Sequence, residues 1–297
     1  MRILILDLLA ERSEFGHGGN IEMVKPFTKL NSNVEVLLIT PQYEDLILLK
    51  ENQLELIYIE KDKVPFWDDE VVFESKTSEN IGDCIVEFNR ILTPVGSVDE
   101  LSKWLKQNEI SCLFCSGSRR NVSQPEPWMK QAKQILRGAV NSAIPTLGIC
   151  FGHQLLADTL GGSVIRSDDR TDAIYNLELS NLGLNDPLFD GLLNDGSGPI
   201  ALYTHQDHVI EISTDDAVKI ELLGSSKHCE NAAIRISKDG RLIPVWGVQF
   251  HPEASLPRIE RSYKLGHISL EEKEKFNKEH DGAKILENFA GIVNLKT

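Results

Sequence analysis

An α/β fold is what this sequence predicts, and three observations carry the prediction. Short apolar runs of strand length alternate with segments of helical pattern, the signature of βα units. The chain has 297 residues, 41% of them hydrophobic, enough for one large domain with a substantial core. Residues 145–154 read as a strand, a sharp turn and the start of a helix, which then stops at Gly161-Gly162.

The elements follow in order. Residues 3–8 form a first buried strand. Gly16, Gly18 and Gly19 open a loop before a helix over residues 21–30. Residues 34–39 give a second strand and 56–59 a short third, while 45–50 fit neither pattern. Residues 60–94 break the βα rhythm and read as a folded insertion, since Val71, Val72, Phe73, Ile85, Val86 and Phe88 give them apolar content. A helix spans 98–107, with Asp99 and Glu100 in its first turn. A strand at 111–115 runs into the small-residue loop 116–120. Pro127 opens a helix over 127–139. Beyond the turn at 150, strands are expected at 164–166, 174–179, 200–203, 218–223, 232–236 and 242–250, and a helix closes the chain at 282–293. Residues 254–281 read as an extension before that helix, all within a single domain of residues 1–297.

Charge narrows the function classes. With 31 Lys+Arg against 45 Asp+Glu, the net charge is −14. Displacing counterions from a polyanion needs positive surface, so neither nucleic acid nor an anionic membrane is an expected partner. No apolar run reaches transmembrane length, and Asp7 interrupts the N-terminal one, so that run reads as a strand and not a signal peptide. Five cysteines, Cys84, Cys112, Cys115, Cys150 and Cys229, suit a reducing compartment, and a cytoplasmic location is expected. Cys112 and Cys115 are spaced C-x-x-C inside an apolar run, with no second pair to complete a zinc site. The acidic stretch 168–172 reads as a solvated loop, and His228 beside Cys229 lacks a companion pair for a metal. His17, among glycines, fits a loop or a pocket lining.

The residues that carry chemistry are more specific. Gly148-x-Cys150-x-Gly152 has the form of a nucleophile elbow with cysteine in the serine position. Small neighbours let the backbone turn, and the helix that follows aims its N-terminal N–H groups at the sulfur, favouring the thiolate. Downstream, Gly247-Val248-Gln249-Phe250-His251-Pro252-Glu253 ends an apolar strand. Residues i and i+2 of a strand share a face, so Glu253 can orient His251 as a general acid–base. The loop Ser116-Gly117-Ser118-Arg119-Arg120 lies at a strand's carboxyl end, where open α/β sheets bind ligands.

Together these segments, with Thr204-His205-Gln206-Asp207 between them, resemble the class I (triad) glutamine amidotransferase family. The resemblance covers residues 1–59 and 98–253 and the final helix. It implies a flavodoxin-like three-layer sandwich with a mostly parallel central sheet, and a catalytic triad of Cys150, His251 and Glu253. It also implies oxyanion donors at the backbone N–H groups of Phe151 and Ser118. Gln154, the loop at Gly117 and Arg120, and the backbone of His205, Gln206 and Asp207 would hold the substrate's α-amino and α-carboxylate groups. Two departures reshape that pocket: Gly117-Ser118-Arg119 replaces the family's usual Gly-Gly-Pro, and Gln206 stands where glycine is frequent. Arg119 and Arg120 are either solvated loop charges or ligands for a substrate carboxylate.

The expected function is a glutaminase that forms a γ-glutamyl thioester on Cys150 and supplies ammonia to a synthetase or other acceptor on another chain. No cofactor or metal is required for that half-reaction, and no P-loop motif is present. Two alternatives remain: a γ-glutamyl hydrolase or peptidase using the same three residues, and a non-catalytic binding module. The negative charge concentrates at 60–90, 168–196 and 207–221, faces on which a basic partner would dock.

Overall fold

The computed structural model describes residues 1–43, 46–47, 55–60, 63–65, 72–193, 198–212 and 217–295. Residues 48–54, Trp67 and Val71 fall outside them. Each strand and helix forms where local pattern and tertiary burial agree.

The central sheet has ten strands, in the order β10-β12-β13-β14-β8-β7-β1-β2-β6-β5. Six neighbours run parallel: β14 (Arg241–Val248), β8 (Thr146–Ile149), β7 (Ile110–Cys115), β1 (Arg2–Leu6), β2 (Glu35–Ile39) and β6 (Cys84–Arg90). Antiparallel strands flank them, β13 (Cys229–Lys238), β12 (Val218–Ser226) and β10 (Glu178–Leu179) on one side and β5 (Lys76–Ile81) on the other. A short pair, β3 (Lys63–Pro65) with β4 (Val72–Glu74), stands apart.

The alternation of side chains along a strand sends Ile3 and Ile5 to one face of the sheet and Leu4 and Leu6 to the other, all fully buried. On the first face pack α1 (Ser13–Thr28) through Val24 and Phe27, and α7 (Gly282–Asn294) through Ile285 and Phe289. On the second pack α2 (Val98–Gln107) through Leu101 and Trp104, α3 (Pro127–Ser142) through Ile135 and Leu136, and α4 (Phe151–Thr159) through Leu155. The result is the three-layer α/β sandwich. Among the described residues no helix is long and apolar enough to cross a membrane.

Several elements differ from the sequence reading, for tertiary reasons. Gly16, Gly18 and Gly19 lie inside α1 and open no loop. A Cβ at Gly16 would stand 2.5 Å from the Leu9 carbonyl oxygen, and one at Gly19 2.7 Å from Arg258 Nη2, so close packing, not a turn, demands glycine there. Residues 84–90, within the stretch read as an insertion, form β6 and pair in parallel with β2, with Val86 and Phe88 buried. Of the expected strand at 56–59, only an isolated bridge from Tyr58 to Ile91 is present. Residues 168–172 are not a loop: they lie within β9 (Ser163–Asn176), which pairs with β11 (Ile200–Glu211) as a separate antiparallel ribbon. Residues 254–281 hold two further helices, α5 (Leu256–Lys264) and α6 (Leu270–Phe276). Cys112 and Cys115 stand on opposite faces of β7, as residues three apart in a strand must, and burial pushes both thiols up. His17 faces β5, its Nε2 2.9 Å from Glu79 and its ring edge-on to Phe88.

Candidate active site

Because β7, β8 and β14 are adjacent and parallel, their carboxyl ends lie side by side at one edge of the sheet, the edge where such folds bind ligands. Each end delivers one of the sequence-predicted segments. β7 leads into the loop 116–120, β8 into Cys150, and β14 through Gln249 to His251.

Cys150 is the pivot between β8 and α4. Its backbone takes φ 51° and ψ −102°, a conformation that costs a non-glycine residue roughly 1–3 kcal/mol. The surroundings enforce it. Cys150 N–H donates to the Val248 carbonyl (2.8 Å), tying the turn to β14, and the Gln154 N–H donates to the Cys150 carbonyl to start the helix. The flanking glycines are steric requirements: a Cβ at Gly152 would run into the Cys115 carbonyl oxygen, and one at Gly148 would lie 2.6 Å from the Gly152 oxygen. The turn therefore packs directly against the end of β7. The Sγ is 3.6 Å from Gln249 Nε2 and 3.8 Å from the Thr204 carbonyl oxygen.

His251 faces this sulfur, and its ring hydrogen-bonds the Cys150 side chain. Its Nδ1 donates to Glu253 Oε1 at 2.9 Å, leaving Nε2 as the nitrogen available to Cys150. The buried carboxylate has a second partner on the same oxygen, Arg258 Nη1 at 3.2 Å. Burial alone would depress the imidazole, but the Glu253 carboxylate and Cys150 raise it to about 10. Burial likewise opposes ionisation of Glu253, yet His251 and then Arg258 hold it down to about 2. The arrangement is a charged imidazolium–carboxylate pair beside a thiol, a set of groups that can attack a carbonyl and protonate a leaving amine.

A cavity of about 540 Å³ opens over these residues. Every sequence-predicted site residue lines it, but they do so in different ways. Phe151 and Ser118 flank the sulfur, and Gly117 approaches so closely that a Cβ there would lie 3.1 Å from His251 Cε1. The Gln154 side chain is buried and occupied, with Nε2 donating to the Asp207 carbonyl (2.6 Å) and to Gln249 Oε1 (3.1 Å). Asp207 Oδ2 accepts from the Ser123 N–H (2.9 Å), which binds β11 to the segment after the loop. Gln206 turns toward the ribbon, where Nε2 donates to the Ser167 carbonyl and Oε1 accepts from Arg166. Arg120 Nε lies 3.6 Å from Glu126. The His205 Nδ1–H donates to the Asp207 carbonyl (2.9 Å), so its Nε2 accepts from His228 Nε2 (3.2 Å). Burial lowers these two rings to about 3 and about 4, and they form a neutral wall.

Sequence reasoning missed Arg258, Gln249 and the two ribbon arginines, Arg166 and Arg170. Gln249 lay inside a quoted motif, and its full burial as an amide beside an apolar strand was the usable signal. Arg258 sits seven residues past His251, in a basic extension whose approach to the site depends on tertiary packing.

Strand, strained cysteine turn and helix, with a histidine–carboxylate pair on the neighbouring strand, define a class of α/β proteins built around a nucleophile elbow. Within that class, the chain belongs to the family described as glutamine amidotransferase class-I, whose sequence model matches residues 72–263. A separate subunit of the glutamine-hydrolyzing GMP synthase of Methanococcus aeolicus is 27% identical over 203 residues, 68% of this chain and 81% of that protein. The glutamine-hydrolyzing GMP synthase of Caldicellulosiruptor saccharolyticus is 37% identical over 157 residues, 52% of this chain but 26% of that longer protein. Two solved structures share the fold at 16% identity. One is from Thermoplasma acidophilum, with a TM-score of 0.53 over 100% of this chain and 95% of that one. The other is SMU.1228c, with a TM-score of 0.55 over 99% of each chain.

Proposed function

We propose that this chain hydrolyses the side-chain amide of glutamine at Cys150 and supplies the ammonia to an acceptor enzyme on another polypeptide. The observation that carries the reading is the His251–Glu253 contact at 2.9 Å, beside a cysteine held on a strained turn within one cavity. The Cys150 thiolate attacks the amide carbon. The tetrahedral oxyanion is held by the backbone N–H groups of Phe151 and Ser118, where loss of one such donor typically costs about 2.7–4 kcal/mol. The C–N bond breaks as His251 gives its proton to the departing ammonia, leaving a γ-glutamyl thioester. Water, deprotonated by His251, then attacks the thioester, and glutamate leaves as the C–S bond breaks. Glu253 keeps the imidazole in its tautomer and stabilises its charged form.

The relatives named as GMP synthase subunits suggest a separate synthetase as the acceptor, in the reducing cytoplasm that the cysteine usage favours. The test is ammonia and glutamate release from glutamine by the purified chain, alone and with such a synthetase. Activity lost in Cys150→Ala supports the reading, and full activity in that variant would overturn it. A γ-glutamyl hydrolase is the second reading, and the size and charge of the cavity favour keeping it.

A further inference from the structure

The cavity is more basic than glutamine explains. In a chain of net charge −14, its lining carries six arginines against three carboxylates. Three of the six are already committed. Arg258 is paired to Glu253, Arg166 lies 3.6 Å from Asp207, and Arg120 lies 3.6 Å from Glu126. The other three are Arg12, just before α1, Arg119 on the loop after β7, and Arg170 on β9. They come from three separate elements and meet at one cavity.

Their mutual proximity is unfavourable as it stands. Burial, then the positive charges of Arg119 and Arg170, lower Arg12, although nearby Glu11 works the other way. His267, between α5 and α6 and also in the lining, is lowered by burial and by Arg12 and Arg119. Among the described residues, Arg12 and Arg119 have no carboxylate within ion-pair distance, while Arg170 is paired with Asp172 at 3.0 Å. The remaining lining carboxylate near Arg170, Glu272, is engaged in capping α6 through the Ser269 N–H (2.7 Å). Convergent guanidinium groups in a partly enclosed site are what binding of a carboxylate or phosphate requires. The volume agrees: about 540 Å³ lies in the range of about 300–1,000 Å³ that holds drug-sized ligands, more than one amino acid fills.

We propose that the site also cleaves γ-glutamyl amides whose amine half bears a second anion, which Arg12, Arg119 and Arg170 bind. This rests on the Cys150 reading above but not on ammonia transfer. The chemistry balances without a further reactant. Cys150 Sγ bonds to the γ-carbonyl carbon, the C–N bond breaks, His251 protonates the leaving amine, and water returns the acyl group as glutamate.

Three matched probes test it: γ-glutamyl-ethylamide, γ-glutamyl-β-alanine and γ-glutamyl-phosphoethanolamine. They share the scissile bond and differ in bearing no anion, a carboxylate or a phosphate. Affinity is measured by calorimetry on the Cys150→Ala protein, so the readout is independent of turnover, and kcat/KM is measured on the wild type. One or both anionic probes should bind about tenfold or more tighter than the ethylamide, the scale of a charge-assisted hydrogen bond. The ratio of anionic to neutral affinity should fall about tenfold in Arg12→Gln and in Arg119→Gln. Which anion wins separates a carboxylate ligand from a phosphate ligand. Equal affinity for all three probes, or a ratio unmoved by both substitutions, would overturn the proposal. If glutamine or the ethylamide is still cleaved by the wild type in that case, the Cys150 chemistry stands and only the anion site falls. If the anionic probes bind preferentially but the wild type cleaves none of the three, the anion site stands and the proposed cleavage falls.

Discussion

Arg258 Nη1 lies 3.2 Å from Glu253 Oε1, the same oxygen that receives the His251 Nδ1–H. The guanidinium is itself buried, stands over the Phe15 ring and fills the space left by Gly19. A helix outside the central sheet thus reaches back to set the charge of the carboxylate that orients the histidine.

Arg258 is therefore a positioning residue. Arg258→Met is expected to lower kcat about tenfold with little change in KM, on the scale of one hydrogen bond to a charged group. Because Arg258 helps hold the Glu253 carboxylate down, the acid limb of the pH–rate profile should move up in the variant. Arg258→Lys should recover part of the loss. An unmoved acid limb together with unchanged kcat would show that Arg258 plays no part in catalysis.

The pair also makes stability pH-dependent in two windows. Glu253 is held at about 2 against an ordinary value of 4.5, so it stabilises the fold above pH 4.5, and that contribution is lost as the pH falls from 4.5 through about 2. His251 is raised from 6.5 to about 10, so its contribution is full below pH 6.5 and disappears as the pH rises toward 10. Denaturant titrations of wild type and Glu253→Gln should converge on the acid side. Those of wild type and His251→Gln should converge on the alkaline side.

The turn at Cys150 gives a stability test separate from chemistry. Its positive φ strains alanine as it strains cysteine, whereas glycine adopts it freely. Cys150→Gly should be more stable than Cys150→Ala by about 1 kcal/mol, after the entropic cost of glycine. Thermal denaturation of the two inactive variants measures the difference, and a less stable glycine variant would show that the turn is not strained.

Gly152 is the converse case. The Cys115 carbonyl oxygen stands where a Cβ would need room, so backbone has to move to admit alanine. Gly152→Ala should lose about 3 kcal/mol of stability and separate the cysteine turn from the loop after β7. Gly18→Ala in α1, where a Cβ meets nothing within 4 Å, is the control and should be neutral or stabilising. Urea titration of the two variants beside wild type measures both effects.

What the sequence revealed follows the range of the interactions involved. The elbow, the His-x-Glu pair and the helices at 98–107 and 282–293 were legible because turn chemistry, strand alternation and helix capping act within a few residues. The helix α2 bears this out, since Ser97 and Glu100 form a reciprocal capping box at the expected start. The glycines of α1 misled because their cause is a carbonyl of Leu9 and a distant side chain, Arg258. β6 was hidden because Cys84-Ile85-Val86-Glu87-Phe88 alternates imperfectly around an exposed Ile85 and gains its place only by pairing with β2. The arginines at the cavity mouth were individually ordinary surface charges. Only the fold brings residues 12, 119 and 170 together.

The central claim is that Cys150 becomes acylated. Wild-type protein is mixed with glutamine, quenched in acid within the first turnover, digested and analysed by mass spectrometry. A γ-glutamyl thioester is predicted on the peptide containing Cys150, absent when Cys150 is alanine. An undiminished rate of glutamate release in Cys150→Ala, or an adduct on Cys84, Cys112, Cys115 or Cys229 instead, would contradict it.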